Sequence, residues 1–554
     1  MPGPAGWLLG GRPYALLVGL CLFLYLPGIS AIPPLDRDEA RFAQATRQML
    51  ETGDFLRIRF QDEARNKKPA GIHWLQALSV SAFSRAEATA IWPYRLPSLL
   101  GGMAAVLLTL ALGTALFGEA SEPRRIAAIA AVLLASALGV VAEAHIAKTD
   151  AALLAAAMTG QGALGLAYVR ARAGRPVPAW LAIMFWTAEL AAIFLKGPPG
   201  PALAVVTAAS LSIADGEWRW LRGLYPVAGI IALVIVLAPW LIAIERATGG
   251  GFLAGALGHD LLMKLVGAQE SHGAPPFSYL LLVVASFWPG SLLLVPAIIR
   301  GWRRLDMPAE RFLLAWLVPA WVMLELVPTK LPHYVLPLFP ALALLAAAAL
   351  ADGVNLPPAS WARRLDILVR ILWAAVSLGL AVLLIGTPLR FGGRIAIAGV
   401  LGALLLLVLA AALLWYRPGP GITTGVIAVL ALAFAVPAAL SVLPGLDRLW
   451  LSRAAAALVA GHPPAAGARL VAVGYSEPSL VFLLGTDLQL ATSRGAAEAL
   501  AGGGEALVSN REDAMFRQAL GARGLALRTV GEVPGLDYSN GQRMVLTLYD
   551  VAPN

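Results

Sequence analysis

The stretch DRDEARFAQATRQMLETGDFLRIRFQDEARNKK, residues 36–68, indicates where the chemistry of this chain lies. An apolar segment precedes it, and a long series of apolar segments follows it. Its start holds Asp36, Asp38, Glu39 and Arg41, and its end holds Lys67 and Lys68. Charge this dense between apolar segments indicates a functional surface at the edge of a membrane.

The composition predicts a polytopic α-helical membrane protein. The chain has 554 residues, of which 59% are hydrophobic and only 14% are charged, with a mean hydropathy of +0.74. Many runs are long enough to cross a bilayer. The net charge of +9 does not indicate nucleic-acid binding, because the basic residues are scattered among short loops. The single cysteine, Cys21, excludes an internal disulfide.

About thirteen membrane spans are predicted from the apolar runs. With the N-terminus in the cytoplasm, most arginine-rich loops lie inside, apart from the loop with Arg390 and Arg394. The first run is interpreted as a retained helix and not as a cleaved signal peptide. The predicted spans are 14–32, 98–117, 126–144, 151–169, 178–195, 198–214, 224–244, 277–299, 312–328, 333–351, 366–387, 395–416 and 421–444.

The predicted domain organisation has two parts. Residues 1–445 form a transmembrane catalytic domain, and residues 446–554 form a small outer α/β domain, because short β-prone runs alternate there with helix-prone segments. Within the first part, residues 33–97 form an outer loop with interfacial helices, and residues 245–276 form a long outer loop.

The distribution of lysine and histidine points to one face of the membrane. The lysines Lys67, Lys68, Lys148, Lys196, Lys264 and Lys330, and the histidines His73, His145, His259, His272, His333 and His462, all face outward on this topology. An arginine-preferring composition would also explain the bias. The alternative is a shared anion site, since lysine supplies a compact charge for phosphate.

Several charged residues are candidates for catalysis. Asp38 and Glu39 can accept a proton from an acceptor hydroxyl or hold a divalent cation, although acidic residues also favour a helix N-terminus. Asp150 begins a helix, so a capping role is an equal alternative. Glu143 and Lys148 lie near the same outer helix ends.

Other residues are candidates for binding phosphate. Lys68 precedes Pro69 at a membrane entry, and Lys196 lies in a tight turn that its neighbours already shape. Lys330, near Tyr334, is either a phosphate ligand or an interface anchor. His259 and His272 lie with carboxylates in the long outer loop, which permits a metal without demanding one.

Six motifs in order resemble the aminoarabinose transferase and protein mannosyltransferase superfamily of integral membrane glycosyltransferases. The resemblance covers roughly residues 10–350, and any one motif alone is weak. It implies the GT-C fold, a polyprenyl phosphate sugar as donor and transfer outside the cytoplasmic membrane. The motifs are DEARFAQATRQMLETGDF, KKPAGIHW, KTDAAL, LKGPPGPAL, APPFSYL and KLPHYVLPLFPALALL.

The resemblance also implies roles for matching residues. Asp38 corresponds to the acidic residue of the first outer loop, and Asp150 to the acidic residue that opens the fourth span. The residues implied to contact the donor are Arg41, Lys68, Lys196 and Tyr334, with His272 or His259 as a cavity histidine. The related branch tends to have Glu, a possible metal ligand, where this chain has Lys67, and this departure argues against metal binding there and against copying the sugar of that branch. A divalent metal is otherwise left open as a cofactor.

The expected function is glycosyl transfer from undecaprenyl phosphate sugar to a lipid A-type or other glycolipid at the periplasmic face of the bacterial inner membrane. Protein O-mannosylation is an alternative within the enzymes. A transporter for an anionic lipid-linked substrate is an alternative of another class, and it needs charges at the membrane midplane. Glu189 is the chief charge at such depth, and the other charges lie crowded at one face of the membrane. This distribution favours an enzyme that is open to one side.

Overall fold

The architecture is a bundle of helices followed by a mixed α/β unit. A computed structural model describes residues 11–553 apart from 257–272, 355, 357–359, 417, 465–467 and 502. The α-helices before the α/β unit are α1 Gly11–Tyr25, α2 Asp38–Thr52, α3 Gly71–Phe83, α4 Trp92–Leu116, α5 Pro123–Ser136, α6 Leu138–Ala144, α7 Asp150–Arg172, α8 Ala179–Lys196, α9 Pro199–Asp215, α10 Pro226–Ala247, α11 Gly251–Leu253, α12 Ser278–Ser286, α13 Leu294–Arg303, α14 Pro308–Leu326, α15 Phe339–Ala351, α16 Trp361–Phe391, α17 Ile397–Tyr416 and α18 Pro420–Pro437.

The apolar runs fold into membrane-spanning helices, and the chain is a multi-pass membrane protein. Within the described ranges, eight helices are long and apolar enough to cross a bilayer, or nine if α5 and α6 form one span bent by 61°. The predicted number of about thirteen is therefore not confirmed. The eight spans are Trp92–Leu116, Asp150–Arg172, Ala179–Lys196, Pro226–Ala247, Pro332–Ala351, Trp361–Phe391, Ile397–Tyr416 and Pro420–Gly445.

The remaining predicted spans form helices that are shorter, broken or more polar. The run at 277–299 is divided into α12, the 3₁₀-helix Gly290–Leu293 and α13, because Pro289 and Gly290 interrupt it. Helix α1 has 15 described residues and α9 has 17. Helix α14 carries Glu310, Arg311 and Glu325.

The charged stretch at 36–68 folds into α2 and a small hairpin. Helix α2 begins at Asp38 and ends before Gly53, whose positive φ of 69° suits a helix C-terminus. The hairpin pairs β1 Arg59–Phe60 with β2 Glu63–Ala64. Residues buried on α2 include polar ones, such as Gln44 and Thr46, because the helix packs against protein on several sides.

The C-terminal unit is a five-stranded mixed sheet with the strand order β4-β3-β5-β7-β6. Strand β3 is parallel to β4 and β5, whereas β7 is antiparallel to β5 and β6. The elements are α19 Leu451–Gly461, β3 Arg469–Val473, α20 Pro478–Leu484, β4 Gln489–Ala491, α21 Ser493–Ala499, β5 Gly504–Ser509, α22 Asp513–Gly521, β6 Leu525–Asp537 and β7 Gln542–Pro553.

Both faces of this sheet are covered. Val471 and Val473 pack into one apolar cluster, and Ala472 between them packs into another. Alternate residues of a strand point to opposite faces, so both clusters are built from the same strands. The predicted boundary between 445 and 446 stays a prediction.

Candidate active site

Five segments that are distant in sequence meet at one end of the helical bundle. They are the first turn of α2, the loop at 65–68, the α6–α7 loop at 145–149, the last turn of α8 and the 3₁₀-helix Pro332–Leu338. Charged side chains from these segments and from the adjoining ends of α6 and α7 interact through ion pairs or through their charges at longer range. We call this set the lysine–carboxylate cluster. Its members are Asp38, Lys68, Glu143, Lys148, Asp150, Lys196 and His333.

Lys148 lies at the centre of the cluster. Its Nζ atom is 2.9 Å from Glu143 Oε1 and 3.5 Å from Asp150 Oδ2. The same atom is 3.1 Å from His333 Nδ1. Burial by itself lowers the pKa of Lys148, but Asp150 and Glu143 outweigh it and raise the pKa above its ordinary value. Lys148 is therefore a buried, permanent cation.

Asp150 links Lys148 to a second lysine. Lys196, in the last turn of α8, forms an ion pair with Asp150 Oδ1, and its Nζ lies 5.1 Å from the centre of the Tyr334 ring. His333 Nε2 is 3.8 Å from Asp150 Oδ1. Asp150 is the first residue of α7, where the helix dipole also favours a carboxylate. The pairing places two ammonium groups around one carboxylate.

Asp38 faces the cluster from α2 and is accessible to solvent. Burial of its surroundings would raise the pKa of Asp38, but Lys68, Lys148 and His333 lower it below its ordinary value. The Lys68 Nζ atom lies 5.2 Å from the centre of the Phe42 ring. Asp38 is therefore an ionised carboxylate with solvent access beside the lysines.

Glu39 occupies a different environment from its neighbour. It is 1% exposed, and both oxygens bind the Arg95 guanidinium at 2.8 Å. The amides of Leu35 and Ala147 also donate to its carboxylate, each at 2.8 Å. With these partners in place, no oxygen of Glu39 is available to a substrate. This geometry indicates a structural role for Glu39, and its catalytic role stays a prediction.

Two predicted phosphate ligands, Lys330 and Arg41, interact with groups outside the lysine–carboxylate cluster. Lys330 Nζ donates to the carbonyls of Glu325 at 2.9 Å and Val327 at 2.7 Å, so it satisfies the C-terminal end of α14. Arg41 lowers the pKa of Glu477, a residue of the C-terminal unit, and therefore lies near that unit. Their binding of donor phosphate stays a prediction.

The predicted cavity histidines, His259 and His272, lie outside the described residues. Among the residues that the structure describes, no three His, Cys, Asp or Glu side chains are placed to hold a metal ion. A lysine lies between the carboxylates of the cluster, where a cation would otherwise bind. The divalent metal stays a prediction.

In the sequence, His333 stands out only as one of six outward-facing histidines. Its position in the motif KLPHY, between Lys330 and Tyr334, was the available signal. The structure places it against Lys148 and Asp150, which come from positions more than 180 residues earlier. Tyr334 packs edge-on against its ring, with ring centres 5.1 Å apart.

The C-terminal unit contacts the turn that leads into α2. The Asp36 amide donates to the Tyr538 hydroxyl at 2.7 Å, and the Arg37 guanidinium donates to the Ser539 carbonyl. Arg37 has a φ of 64°, a strained value for a residue with a side chain. Burial raises the pKa of Asp36 to about 6, although a hydrogen bond with Ser479 opposes the rise. No pattern in the sequence indicates this contact, which spans about 500 positions.

Comparison with known proteins identifies this arrangement of helices and sheet. The crystal structure of ArnT from Cupriavidus metallidurans bound to undecaprenyl phosphate superimposes with a TM-score of 0.73 over 99% of this chain and 98% of that chain, at 20% identity. The apo structure of the same protein superimposes with a TM-score of 0.70. The chain has the fold of ArnT. The predicted GT-C fold class is thereby confirmed.

Sequence comparison agrees with the ArnT fold. The chain is 27% identical over 341 residues to the undecaprenyl phosphate-alpha-4-amino-4-deoxy-L-arabinose arabinosyl transferase 2 of Pseudomonas fluorescens, covering 62% of this chain and 60% of the relative. It is 28% identical over 344 residues to the arabinosyl transferase of Pseudomonas savastanoi pv. phaseolicola, covering 62% of each. The matches thus span less than two thirds of these relatives. No protein-family model matches the chain. The resemblance predicted from the motifs is confirmed.

Proposed function

We propose that this protein is a glycosyltransferase that moves a sugar from undecaprenyl phosphate to a lipid A-type glycolipid. The observation that carries the proposal is the lysine–carboxylate cluster, which brings Lys68, Lys148 and Lys196 together at one end of the bundle. The similar arabinosyl transferases carry this donor in their names, and the similar crystal structure holds undecaprenyl phosphate. The site lies at the periplasmic face of the bacterial inner membrane in this proposal.

The lysines act on the leaving group. Breaking the bond between the sugar and the lipid phosphate leaves additional negative charge on the phosphate. Lys68 and Lys196 are partly accessible, whereas Lys148 is buried. We therefore assign Lys68 and Lys196 to the phosphate, and Lys148 to holding Glu143 and Asp150 in place. Because the cations are held before the donor arrives, little reorganisation is needed at the transition state.

Asp38 acts on the acceptor. It is the carboxylate of the cluster that combines ionisation with solvent access. If the acceptor nucleophile is a hydroxyl, Asp38 accepts its proton; if the nucleophile is a phosphate oxygen, Asp38 orients it. The new bond forms at the sugar carbon as the bond to the lipid phosphate breaks, so the lipid phosphate leaves with the electron pair and no nucleotide is consumed.

The test compares two adjacent lysines. Lys68→Ala removes a cation of the cluster, whereas Lys67→Ala removes an exposed cation one position earlier. Transfer from undecaprenyl phosphate aminoarabinose to lipid A is followed by mass spectrometry in reconstituted membranes. We expect Lys68→Ala to slow transfer about 10²-fold or more, as for loss of one transition-state donor, and Lys67→Ala to retain most of the activity.

Several outcomes would refute parts of the proposal. Equal activity of the two variants would remove Lys68 from the site. A wild-type protein that modifies exported proteins, and not lipid A, would favour protein O-mannosylation. Movement of the intact donor across the membrane without cleavage would favour a transporter.

A further inference from the structure

A cavity of about 540 Å³ lies at the end of the bundle away from the lysine–carboxylate cluster. The two sites lie at opposite ends of the span Pro332–Ala351. His333 lies at the start of this span, and Ala349, near its end, lines the cavity. The volume falls within the range of about 300–1,000 Å³ that is typical of small-molecule sites. Parts of α13, α15, α16, α17 and the start of α18 enclose it.

The cavity has an aliphatic wall and a charged end. Most of its described lining residues are aliphatic, among them Leu292, Leu293, Leu350 and Leu413. The charged end is formed by Arg363, Asp366 and Arg370 on the first turns of α16. This division matches an amphiphilic ligand, because a free inorganic ion would gain nothing from the aliphatic wall.

The charged end contains an unbalanced arrangement of hydrogen-bonding groups. Arg370 Nε lies 2.8 Å and Arg363 Nη1 lies 3.5 Å from the same oxygen, Asp366 Oδ2. Asp366 is 1% exposed, and its Oδ1 atom has no hydrogen-bond partner among the described residues. Two guanidinium groups and one carboxylate leave a surplus positive charge. A ligand with a phosphate and a cationic hydrogen-bond donor satisfies both features.

Exposed aromatic residues place the cavity at the membrane surface. Trp361 begins α16, and Trp415 and Tyr416 end α17; their side chains are 68%, 85% and 78% exposed. Tryptophan and tyrosine concentrate at the depth of the lipid headgroups. Arg363 and Leu413 lie within one turn of these residues and line the cavity, so the charged end lies at headgroup depth.

We propose that this cavity binds a phospholipid with a phosphate–ammonium headgroup, of the phosphatidylethanolamine type. The phosphate binds between Arg363 and Arg370, the ammonium pairs with the Asp366 carboxylate, and an acyl chain follows the leucine wall. Basic pockets between membrane helices are known to bind lipid headgroups in this way. The site is separate from the proposed transfer reaction and does not depend on it.

The experiment measures lipid binding to the full-length protein purified in detergent and stripped of lipid. Dioleoyl phosphatidylethanolamine, dioleoyl phosphatidylcholine and inorganic phosphate are titrated separately, and the thermal unfolding midpoint and native mass spectrum are recorded. We expect a rise in midpoint and a bound lipid with phosphatidylethanolamine. Phosphatidylcholine is expected to bind about tenfold more weakly, because its quaternary ammonium has no N–H donor, and phosphate is expected to have no effect.

Variants locate the binding in the cavity. Arg370→Gln removes a lining arginine, and Arg364→Gln makes the same charge change on an exposed neighbour that does not line the cavity. We expect about tenfold weaker binding of phosphatidylethanolamine only in Arg370→Gln. Ala349→Phe places a large side chain in the cavity while leaving the arginines intact, and it is expected to abolish the response to lipid. This variant tests the site independently of whether Arg370→Gln folds.

The possible results separate the parts of the proposal. Equal binding of the two lipids would overturn the role of Asp366 as an acceptor for the ammonium. Equal behaviour of Arg370→Gln and Arg364→Gln, together with an unchanged response in Ala349→Phe, would overturn the site. A midpoint shift with inorganic phosphate as large as with lipid would show an anion site without a lipid.

Discussion

Asp38 and Glu39 are adjacent in the chain, but they lie in opposite environments. Asp38 is accessible and has lysines as its charged neighbours, whereas Glu39 is sealed against Arg95 and two backbone amides. Successive residues of a helix are about 100° apart around its axis, so one faces the site and the other the packed interior. In the proposed mechanism, a carboxylate thus takes part in the reaction at Asp38 and has a structural role at Glu39.

The largest expected effect follows from breaking the Glu39–Arg95 pair. Arg95→Met leaves the Glu39 carboxylate buried without a counter-charge, which typically costs about 3–5 kcal/mol in free energy of unfolding. We expect the thermal unfolding midpoint in detergent to fall sharply, or the protein to be degraded in the cell. The double variant Glu39→Gln with Arg95→Met removes both charges and is expected to recover part of the loss. A single variant as stable as wild type would contradict the structural role.

Asp38→Asn is expected to show the opposite pattern. The amide keeps the shape of the side chain but cannot accept the acceptor's proton, so we expect transfer to slow about 10²-fold or more. The unfolding midpoint should stay close to that of wild type, because Asp38 is accessible. Measuring both quantities on one preparation tests the contrast. A variant that loses stability and keeps its rate would reverse the assignment of the two residues.

An effect of intermediate size on stability is expected from Asp36 and Glu477, which lie where the C-terminal unit contacts the turn before α2. Burial raises the pKa of Asp36 to about 6 and that of Glu477 to about 7. The negative charge of Asp537 adds to both rises, and that of Asp36 adds to the rise at Glu477. Arg41 and the hydrogen bonds from Ser479 and Ser539 oppose the rises. A carboxyl group whose pKa is raised in the folded state stabilises that state most when protonated. This contribution is complete at about pH 4 and is lost as the pH rises through 6–7.

The measurement is the pH dependence of the unfolding midpoint between pH 5 and pH 8. We expect the variant Asp36→Asn with Glu477→Gln to lose less stability over this range than wild type, because its amides do not ionise. Asp38 has the opposite effect on the pH dependence of stability. Its pKa is lowered in the folded state, so the stability that it contributes is lost as the pH falls. Parallel curves for the variant and wild type would show that the two carboxyl groups titrate normally.

The smallest effect is expected at Lys330. Its ammonium binds the last carbonyls of α14, a contact of the kind that contributes about 0.3–1 kcal/mol. Lys330→Gln should lower the unfolding midpoint slightly and leave the transfer rate within about twofold. Lys196→Gln is the matched variant, because it removes the same charge from the lysine–carboxylate cluster, and it should slow transfer. A rate loss at Lys330 equal to that at Lys196 would support the predicted role of Lys330 at the donor site.

The sequence predicted most of what depends on local pattern. Apolar runs predicted the positions of the helices. The outward-facing lysines at helix ends predicted that Lys148 and Lys196 lie near one another, because topology alone places such residues on one face. The pairing of Glu39 with Arg95 was not predictable, since the partners are 56 positions apart and periodicity does not report long-range contacts. The same holds for His333 and Tyr538. The predicted number of about thirteen spans is not confirmed, because several apolar runs form shorter or broken helices, and length and hydropathy alone do not decide whether such helices cross the bilayer.

In the proposed reaction, the charges of the lysine–carboxylate cluster have a consequence for turnover. Lys68, Lys148 and Lys196 lie among the carboxyl groups of Asp38, Glu143 and Asp150, which offset part of their positive charge. The spent lipid phosphate carries more negative charge than the sugar-linked donor, so it meets the lysines together with repelling carboxylates. A site with uncompensated lysines would hold this product tightly and become blocked. The carboxylates therefore favour departure of the spent carrier and readiness for the next donor.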